Sequence, residues 1–189
     1  MEEHFHQPIP SQFHSFDTGE PFQQCKVCER DLQTYDKPYI IEKAIRRYPE
    51  FDTEDVIFEY AICMDCAEEQ RQQMSAESME RLGKYMEENF KPGEHLQGSE
   101  AVPMDYLMDR CAVTGERRKD MEEYQVAALC QGASLVPGAP PYILGGTAMD
   151  TIMELMSPET RDEWNRFRDE HLGPSPEFSD LLKGRPVLL

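Results

Sequence analysis

The sequence predicts an α+β fold in which two small mixed units follow one another along 189 residues. Three patterns favour this fold: two CxxC pairs in the first third of the chain, short β-branched segments typical of strands, and runs of strong helix formers. A hydrophobic content of 39 % is low for one large core. We therefore expect a flexible tail over 1–22, a first unit over 23–90, a linker over 91–110 and a second unit over 111–189.

Four cysteines organise the first unit. Cys25 and Cys28 form one CxxC pair, and Cys63 and Cys66 form the other. Each pair folds as a tight knuckle that aims two sulfur atoms at one point, so that two pairs can complete a tetrahedral shell. Zn²⁺ is the usual ion in such a shell, and an iron–sulfur cluster ranks behind it. The sequence therefore predicts one metal site with these four cysteines as its ligands.

The segment between and after the cysteine pairs predicts a hairpin and a helix. Residues 39–45 and 55–62 are rich in β-branched and aromatic side chains, and we expect them to pair as antiparallel strands. Strong helix formers follow from Ala67, and they predict a helix towards Phe90 with a kink at Ser75. The predicted buried stripe of this helix consists of Met79, Leu82, Met86 and Phe90.

The order of knuckle, hairpin and helix resembles the treble-clef zinc finger over residues 23–90. The resemblance rests on the four cysteines, Cys25, Cys28, Cys63 and Cys66, and on the strand and helix patterns around them. It implies a zinc ion at the start of the helix. It says little about function, because treble clefs occur in binding modules, ribosomal proteins and nucleases alike.

The second unit echoes the pattern of the first. The run from Cys111 to Gly115 has the form of a CxxC knuckle with Thr114 in place of the second cysteine. Strand patterns follow over 124–130 and 141–144. We expect a second treble-clef-like unit, and the alternative is a βα segment that resembles the first by coincidence.

This second unit has lost the residues that would bind a metal. Aligning the two units places Gly145 and Ala148 where the second cysteine pair stands. A helix is predicted at this point, because Thr147 and Asp150 have the spacing of a capping box. We therefore expect a degenerate, metal-free repeat held together by apolar contacts. Its predicted core consists of Leu129, Tyr142, Ile143, Ile152, Leu155, Trp164 and Phe167.

Two capping signals mark the C-terminal part of the chain. Ser157 before Pro158 predicts a helix with Trp164 and Phe167 on one face. Ser175 begins a second, shorter amphipathic segment, and the apolar end of the chain is expected either to dock on the body or to meet a partner. The apolar residues of this last segment are Phe178, Leu181, Leu182, Val187, Leu188 and Leu189.

The charge pattern argues against nucleic acid as a partner. The net charge is −18, and phosphate backbones repel a chain of this sign. Lys43, Arg46 and Arg47 on the predicted hairpin are the only candidates for a basic face beside the metal site. We therefore expect no nucleic-acid binding and a protein partner with a basic surface.

The residues give no support for an enzyme. A nuclease of the treble-clef type needs a histidine base near the hairpin, and no histidine occurs between His14 and His95. Four cysteine ligands also fill the position that a catalytic zinc leaves open. Cys111 and Cys130 do not form a CxxC pair, and we expect them to be buried, inert thiols.

The predicted function is that of a zinc-binding protein whose structural site supports a protein-interaction or regulatory module. A thiol-based redox- or zinc-responsive regulator that uses the same CxxC pairs is the alternative. The sequence has no apolar run long enough for a transmembrane helix and no basic-then-apolar start typical of a secretory signal. We therefore expect a cytoplasmic protein whose thiols are reduced or metal-bound.

Overall fold

A computed structural model describes residues 7–92 and 103–173 and gives them a mixed α/β fold. The described residues form the strands β1 (Tyr39–Tyr48), β2 (Thr53–Cys63), β3 (Glu123–Gln131), β4 (Ser134–Leu135) and β5 (Tyr142–Gly145). Their α-helices are α1 (Met64–Gln72), α2 (Ala76–Asn89), α3 (Met104–Leu107), α4 (Gly146–Leu155) and α5 (Pro158–His171). The prediction of mixed helices and strands is therefore confirmed.

The strands belong to one antiparallel sheet with the order β2-β1-β3-β4, and β5 pairs with β3 beside β4. β1 pairs with β2 on one side and with β3, from Tyr39 to Arg46, on the other. We call residues 7–92 the first half and residues 103–173 the second half. β3, the first strand of the second half, pairs with the open edge of the β1–β2 hairpin and satisfies its backbone groups. The two predicted units therefore share one sheet, and their buried apolar residues form one core cluster.

The β1–β2 hairpin confirms the prediction for this region and places the end of β2 beside the start of β1. Its register sets Cys63 opposite Tyr39. Both strands extend past their predicted ranges, and Arg47 and Glu54 form an ion pair across this extension with Nε and Oε1 3.1 Å apart. The hairpin therefore holds the second cysteine pair at one end of the sheet.

The helix predicted after the second cysteine pair is two helices, α1 and α2. Ser75 separates them and caps α2, since its hydroxyl accepts a hydrogen bond from the N–H of Ser78. The predicted buried stripe of α2 is wrong for Met79, which is 45 % exposed. The other members of that stripe are half-buried, namely Leu82, Met86 and Phe90.

The second half repeats the element order of the first. Apart from the two-residue strand β4 between β3 and β5, the elements β3, β5, α4 and α5 have the same order as β1, β2, α1 and α2. The same number of residues separates Cys63 from Gly145 as separates Ser75 from Ser157. The helices α2 and α5 are both 14 residues long.

The start of α5 agrees with the sequence prediction, and the start of α4 does not. Ser157 caps α5, and its hydroxyl accepts a hydrogen bond from the N–H of Thr160. The capping box predicted at Thr147 does not form, because α4 already begins at Gly146. Its N-cap residue is Gly145, which has no side chain that could accept a hydrogen bond.

The last helix of each half packs against the hairpin of the other half. Phe167 of α5 contacts Tyr60 of β2, with ring centroids 6.2 Å apart. Phe90, at the end of α2, meets Tyr142 of β5 edge-on, with centroids 4.9 Å apart. Such crossed aromatic contacts stabilise both hairpins at once, so that neither half is complete without the other.

A cluster of four hydroxyl groups joins the starts of α2 and α5. The N–H of Ser75 donates to Oγ1 of Thr160 over 3.0 Å, and the N–H of Ser157 donates to Oγ of Ser78 over 2.8 Å. The hydroxyls of Ser75 and Ser157 are themselves 3.0 Å apart. The two helix starts therefore satisfy part of each other's free N–H groups.

The N-terminal segment differs from the flexible tail expected over 1–22. In its described part, which starts at residue 7, the side chain of Phe13 is fully buried. The carbonyl of His14 accepts a hydrogen bond from Nζ of Lys43, which also lies 2.9 Å from a carboxylate oxygen of Glu59. This segment therefore contacts a buried charge pair on the sheet.

The predicted core of the second half is largely confirmed. Its buried members are Ile143, Ile152, Trp164 and Phe167. Its partly buried members are Leu129, Tyr142 and Leu155. The short helix α3 lies at the end of the predicted linker. The rest of that linker from residue 93, and the amphipathic segment with Phe178, lie outside the described residues.

Candidate metal centre

The four predicted ligands lie together at one end of the β1–β2 hairpin. The Sγ atoms of Cys25, Cys28, Cys63 and Cys66 all lie within 4.8 Å of one another, and those of Cys28 and Cys63 are 3.8 Å apart. Four sulfur atoms bound to Zn²⁺ at about 2.3 Å would be about 3.8 Å apart. The cluster therefore has the donor atoms and nearly the dimensions of a four-sulfur metal site.

Two parts of the chain deliver these sulfur atoms. Cys25 and Cys28 lie in the knuckle that precedes β1. Cys63 is the last residue of β2 and the N-cap of α1, and Cys66 lies in the first turn of that helix. Because the helix begins directly after the strand, the second pair is fixed by two regular elements rather than by a loop.

Backbone N–H groups surround the sulfur of Cys25. The N–H of Cys63 donates to this sulfur over 3.3 Å. Burial raises the pKa of the Cys25 thiol, but backbone hydrogen bonds from Cys28, Cys63 and Val27 lower it, and the net pKa lies below the ordinary value. These donors stabilise the thiolate, which is the form that binds a metal.

The sulfurs of the second pair are in a different environment. Burial raises the pKa of both Cys63 and Cys66. Cys28 is the exposed member of the cluster. Adjacent thiolates repel one another, so a bound cation would favour their deprotonated form and would release protons on binding.

One carboxylate beside the cluster gathers two basic side chains. Asp65, between the cysteines of the second pair, lies 2.6 Å from Arg30 of the knuckle and 2.6 Å from Lys37 before β1. Hydrogen bonds from Lys37 and Arg30 lower the pKa of Asp65 to about 2. Sequence reasoning missed this network. Its one available signal was a charged residue within a CxxC pair, and nothing in the sequence shows that the two cations converge there.

The knuckle of the second half has the same backbone turn as the first. The N–H of Glu29 donates to the carbonyl of Cys25 over 2.9 Å, and the N–H of Gly115 donates to that of Cys111 over 2.9 Å. Both donor residues have a left-handed backbone conformation, with φ of 60° at Glu29 and 72° at Gly115. The first knuckle tolerates this conformation in a glutamate, and the second has the residue that adopts it without strain.

The sulfur of the second knuckle also receives matching hydrogen bonds. The N–H of Gly145 donates to Sγ of Cys111 over 3.4 Å, as the N–H of Cys63 donates to Sγ of Cys25. The N–H of Thr114 donates to the same Cys111 sulfur over 3.4 Å. The second half therefore keeps the backbone frame around one sulfur of the metal cluster.

The remaining positions of the second half do not carry metal ligands. The sequence alignment of the two halves places Thr114, Gly145 and Ala148 at the positions of Cys28, Cys63 and Cys66. A Cβ atom on Gly145 would lie 2.9 Å from Sδ of Met121. The Met121 side chain therefore occupies the space that a side chain at position 145 would need. Cys111 is left without a partner cysteine, and no four-cysteine site can form here.

Cys111 and Cys130 are both buried and both free, which confirms the expectation of buried thiols. Burial raises the pKa of Cys130 to about 12, so that its thiolate is rare at neutral pH. Neither residue belongs to the cluster of Cys25, and among the described residues no second group of clustered ligands includes them.

Comparisons of the chain with protein-family models, with curated proteins and with solved structures gave no significant match. No helix within residues 7–92 and 103–173 combines the length and the apolar character needed to cross a membrane.

Proposed function

We propose that the four cysteines bind one Zn²⁺ ion and that this ion is a structural element of the first half. The observation that carries the proposal is the approach of four Sγ atoms to within 4.8 Å, where the knuckle, β2 and α1 meet. Cys25, Cys28, Cys63 and Cys66 would supply all the ligands, which leaves no position for a substrate. A bound ion would tie the knuckle to the start of α1 and neutralise the thiolates.

The fold of this half is proposed to be of the treble-clef type, and the second half to be a metal-free copy. The knuckle, the hairpin and the cysteines at the start of α1 stand in the order of that class. The hydrogen bonds to the sulfurs of Cys25 and Cys111 support the repeat, as does the equal spacing from Cys63 to Gly145 and from Ser75 to Ser157. Zinc in one half and apolar packing in the other would then serve the same structural purpose.

Elemental analysis tests the metal proposal. Protein purified under reducing conditions and without chelator is expected to contain one zinc per chain. The Cys25→Ser variant should lose most of this zinc, whereas the matched control Cys130→Ala, which removes a buried thiol outside the cluster, should keep it. Wild-type protein without zinc, or with the visible absorbance of an iron–sulfur cluster, would contradict the proposal.

We further propose that the surface of this body binds a protein with a basic face. The net charge of −18 favours such a partner and increases the rate of its association at low salt. Cross-linking followed by mass spectrometry should identify an interaction that weakens as the ionic strength rises. An interaction that is insensitive to salt would argue against charge as its basis.

The same charge argument makes nucleic acid an unsuitable partner. The three basic residues that could form a basic face on the hairpin lie beside carboxylates: Lys43 beside Glu59, Arg46 beside Glu123 and Arg47 beside Glu54. Gel-shift titrations with duplex DNA and with RNA at physiological salt are expected to show no complex at micromolar protein. A shifted band whose affinity falls steeply with salt would overturn this expectation.

A second candidate function is regulation by oxidation, and the exposure of Cys28 favours it. Hydrogen peroxide would oxidise two thiolates of the cluster to a disulfide and would itself be reduced to water. The ion would lose two ligands and be released. Six free thiols suit a reducing compartment, which supports the proposed cytoplasmic location. Zinc release within minutes at low peroxide would favour the regulator, and retention of zinc would favour the purely structural role.

A further inference from the structure

An apolar groove of about 440 Å³ lies between the two halves of the molecule. The first half contributes Met74, Met79, Leu82 and Met86, and the second half contributes Tyr142 and Trp164, among others. Met79 is 45 % exposed at its edge. Methionine side chains are flexible and polarizable, and they adapt to the shape of an apolar segment that packs on them. The groove therefore has the chemistry of a docking site for an apolar segment of a protein chain.

The groove lies beside α2, which carries smaller side chains than α5 at two matching positions. At the positions that correspond to Leu82 and Met86 of α2, the helix α5 carries Trp164 and Arg168, and both of these are buried. Leu82 and Met86 are only half-buried on α2, and so a space remains beside this helix.

We propose that residues 174–189 of the same chain occupy this groove, with Phe178, Leu181 and Leu182 as the side chains that enter it. This segment is outside the described residues, and it begins directly after α5, the helix that contributes Trp164 to the groove. Docking would cover the exposed edge of Met79.

The lengths of the elements allow this return of the chain. Trp164 lies about 10 Å back along the axis of α5 from its last residue, His171, at 1.5 Å per residue. Residues 174–176, of which two are prolines, can span about 10 Å when extended. Phe178 can therefore reach the level of Trp164 without unwinding α5.

The residue pattern of the segment fits a one-sided contact. In the sequence, Phe178, Leu181 and Leu182 have the i, i+3, i+4 spacing typical of one helical face, and Asp180 and Lys183 have the spacing of the opposite face. The helical N-cap signal at Ser175 precedes them. The apolar side chains would thus enter the groove while the charged ones remain in water.

The test compares full-length variants by NMR of ¹³C-labelled methionine methyl groups. The double variant Leu181→Glu/Leu182→Glu is expected to shift the methyl signals of Met79 and Met86 and to leave that of buried Met108 unchanged. The control Lys183→Glu alters the net charge by the same amount on the opposite face, and should leave all three signals in place. Zinc content measured on the same samples should stay the same, so this test is independent of the metal proposal.

The other outcomes overturn the proposal. If the Met79 and Met86 signals are the same in the wild type and both variants, the segment does not occupy the groove, and the groove is open to another protein. If the shifts appear only at high protein concentration, with a larger mass by sedimentation, the occupant is the segment of a second copy. If Lys183→Glu shifts the signals as strongly as the double variant, the effect is electrostatic rather than apolar docking.

Discussion

At the scale of single residues, the cysteines differ sharply in what surrounds them. Cys25 receives three backbone hydrogen bonds that lower its pKa, whereas burial raises the pKa of Cys63 and Cys66. Without an ion, this arrangement places three buried sulfurs and the exposed sulfur of Cys28 close together at the junction of a knuckle, a strand and a helix. The first half is therefore expected to depend on the metal ion proposed for this cluster.

Replacement of one ligand tests this dependence. The Cys63→Ser variant should lose zinc and the cooperative unfolding of the wild type, because zinc binding contributes roughly 10–16 kcal/mol in small zinc fingers. Thermal unfolding followed by circular dichroism measures the effect. Cys111→Ala is the matched control, since Cys111 lies in the second knuckle, for which no metal is proposed. This variant should unfold cooperatively. A cooperative, zinc-free Cys63→Ser protein would show that packing alone holds this half.

The residues of the candidate site were predictable to different degrees. The spacing of Cys25, Cys28, Cys63 and Cys66 identifies them directly, because a CxxC knuckle is a local structure. The contacts of Asp65 with Arg30 and Lys37 were not predictable, because they join residues whose proximity depends on how the whole knuckle folds onto α1.

At the scale of elements, the second knuckle has the frame of a metal site without its ligands. If the two halves are repeats, cysteines at Thr114, Gly145 and Ala148 should rebuild a site around Cys111. The added Cβ at Gly145 would clash with Met121, so Met121→Ala must accompany these changes. Elemental analysis is expected to find two zinc ions per chain in this variant.

The control for this experiment is Met121→Ala alone, which should contain one zinc per chain. It also accounts for the cost of removing a buried methionine, which is about 2–5 kcal/mol. One zinc per chain in the rebuilt variant, with the protein folded, would mean that the second half does not present the geometry of the first.

The elements themselves were largely predictable from local patterns. The β-branched segments identified β1 and β2, and Ser157 with Pro158 identified the start of α5. The break between α1 and α2 was expected only as a kink at Ser75. Its cause lies in the hydroxyl cluster with Thr160, a residue far away in sequence, and no local pattern could have shown it.

At the scale of the whole molecule, tyrosine phenols with raised pKa values make the stability of the fold decrease at high pH. Burial raises the pKa of Tyr39, Tyr60, Tyr124 and Tyr142, and nearby carboxylates add to this effect at Tyr60 and Tyr124. The unfolded chain releases these protons near pH 10, whereas the folded chain keeps them. The unfolded state therefore binds fewer protons above that pH, and the free energy of unfolding should fall as the pH rises.

Urea unfolding at pH about 8 and at pH about 11 measures this loss. The free energy of unfolding is expected to be clearly smaller at the higher pH than at the lower pH. Tyr142→Phe removes one of these phenols with a raised pKa and should reduce the difference between the two values. An equal free energy at both pH values would mean that the phenols ionise within the folded protein.

The overall arrangement was the least predictable part. The sequence indicated two units in succession, and the structure joins them through β1 and β3 and through the crossed packing of Phe167 on Tyr60 and Phe90 on Tyr142. These contacts link residues far apart along the chain. Periodicity and spacing describe neighbours in sequence, so they could identify the parts but not the way in which the parts are joined.

The central position of β1 has a consequence for synthesis on the ribosome. β2 follows β1 immediately, but β3 emerges only after α1 and α2 have been made, which takes several seconds at about 5–20 residues per second. During that interval the nascent chain carries an unpaired strand edge next to a completed cysteine cluster. Such an edge can pair with a neighbouring nascent chain, so slow translation or crowded polysomes should favour aggregation of this protein before its second half is complete.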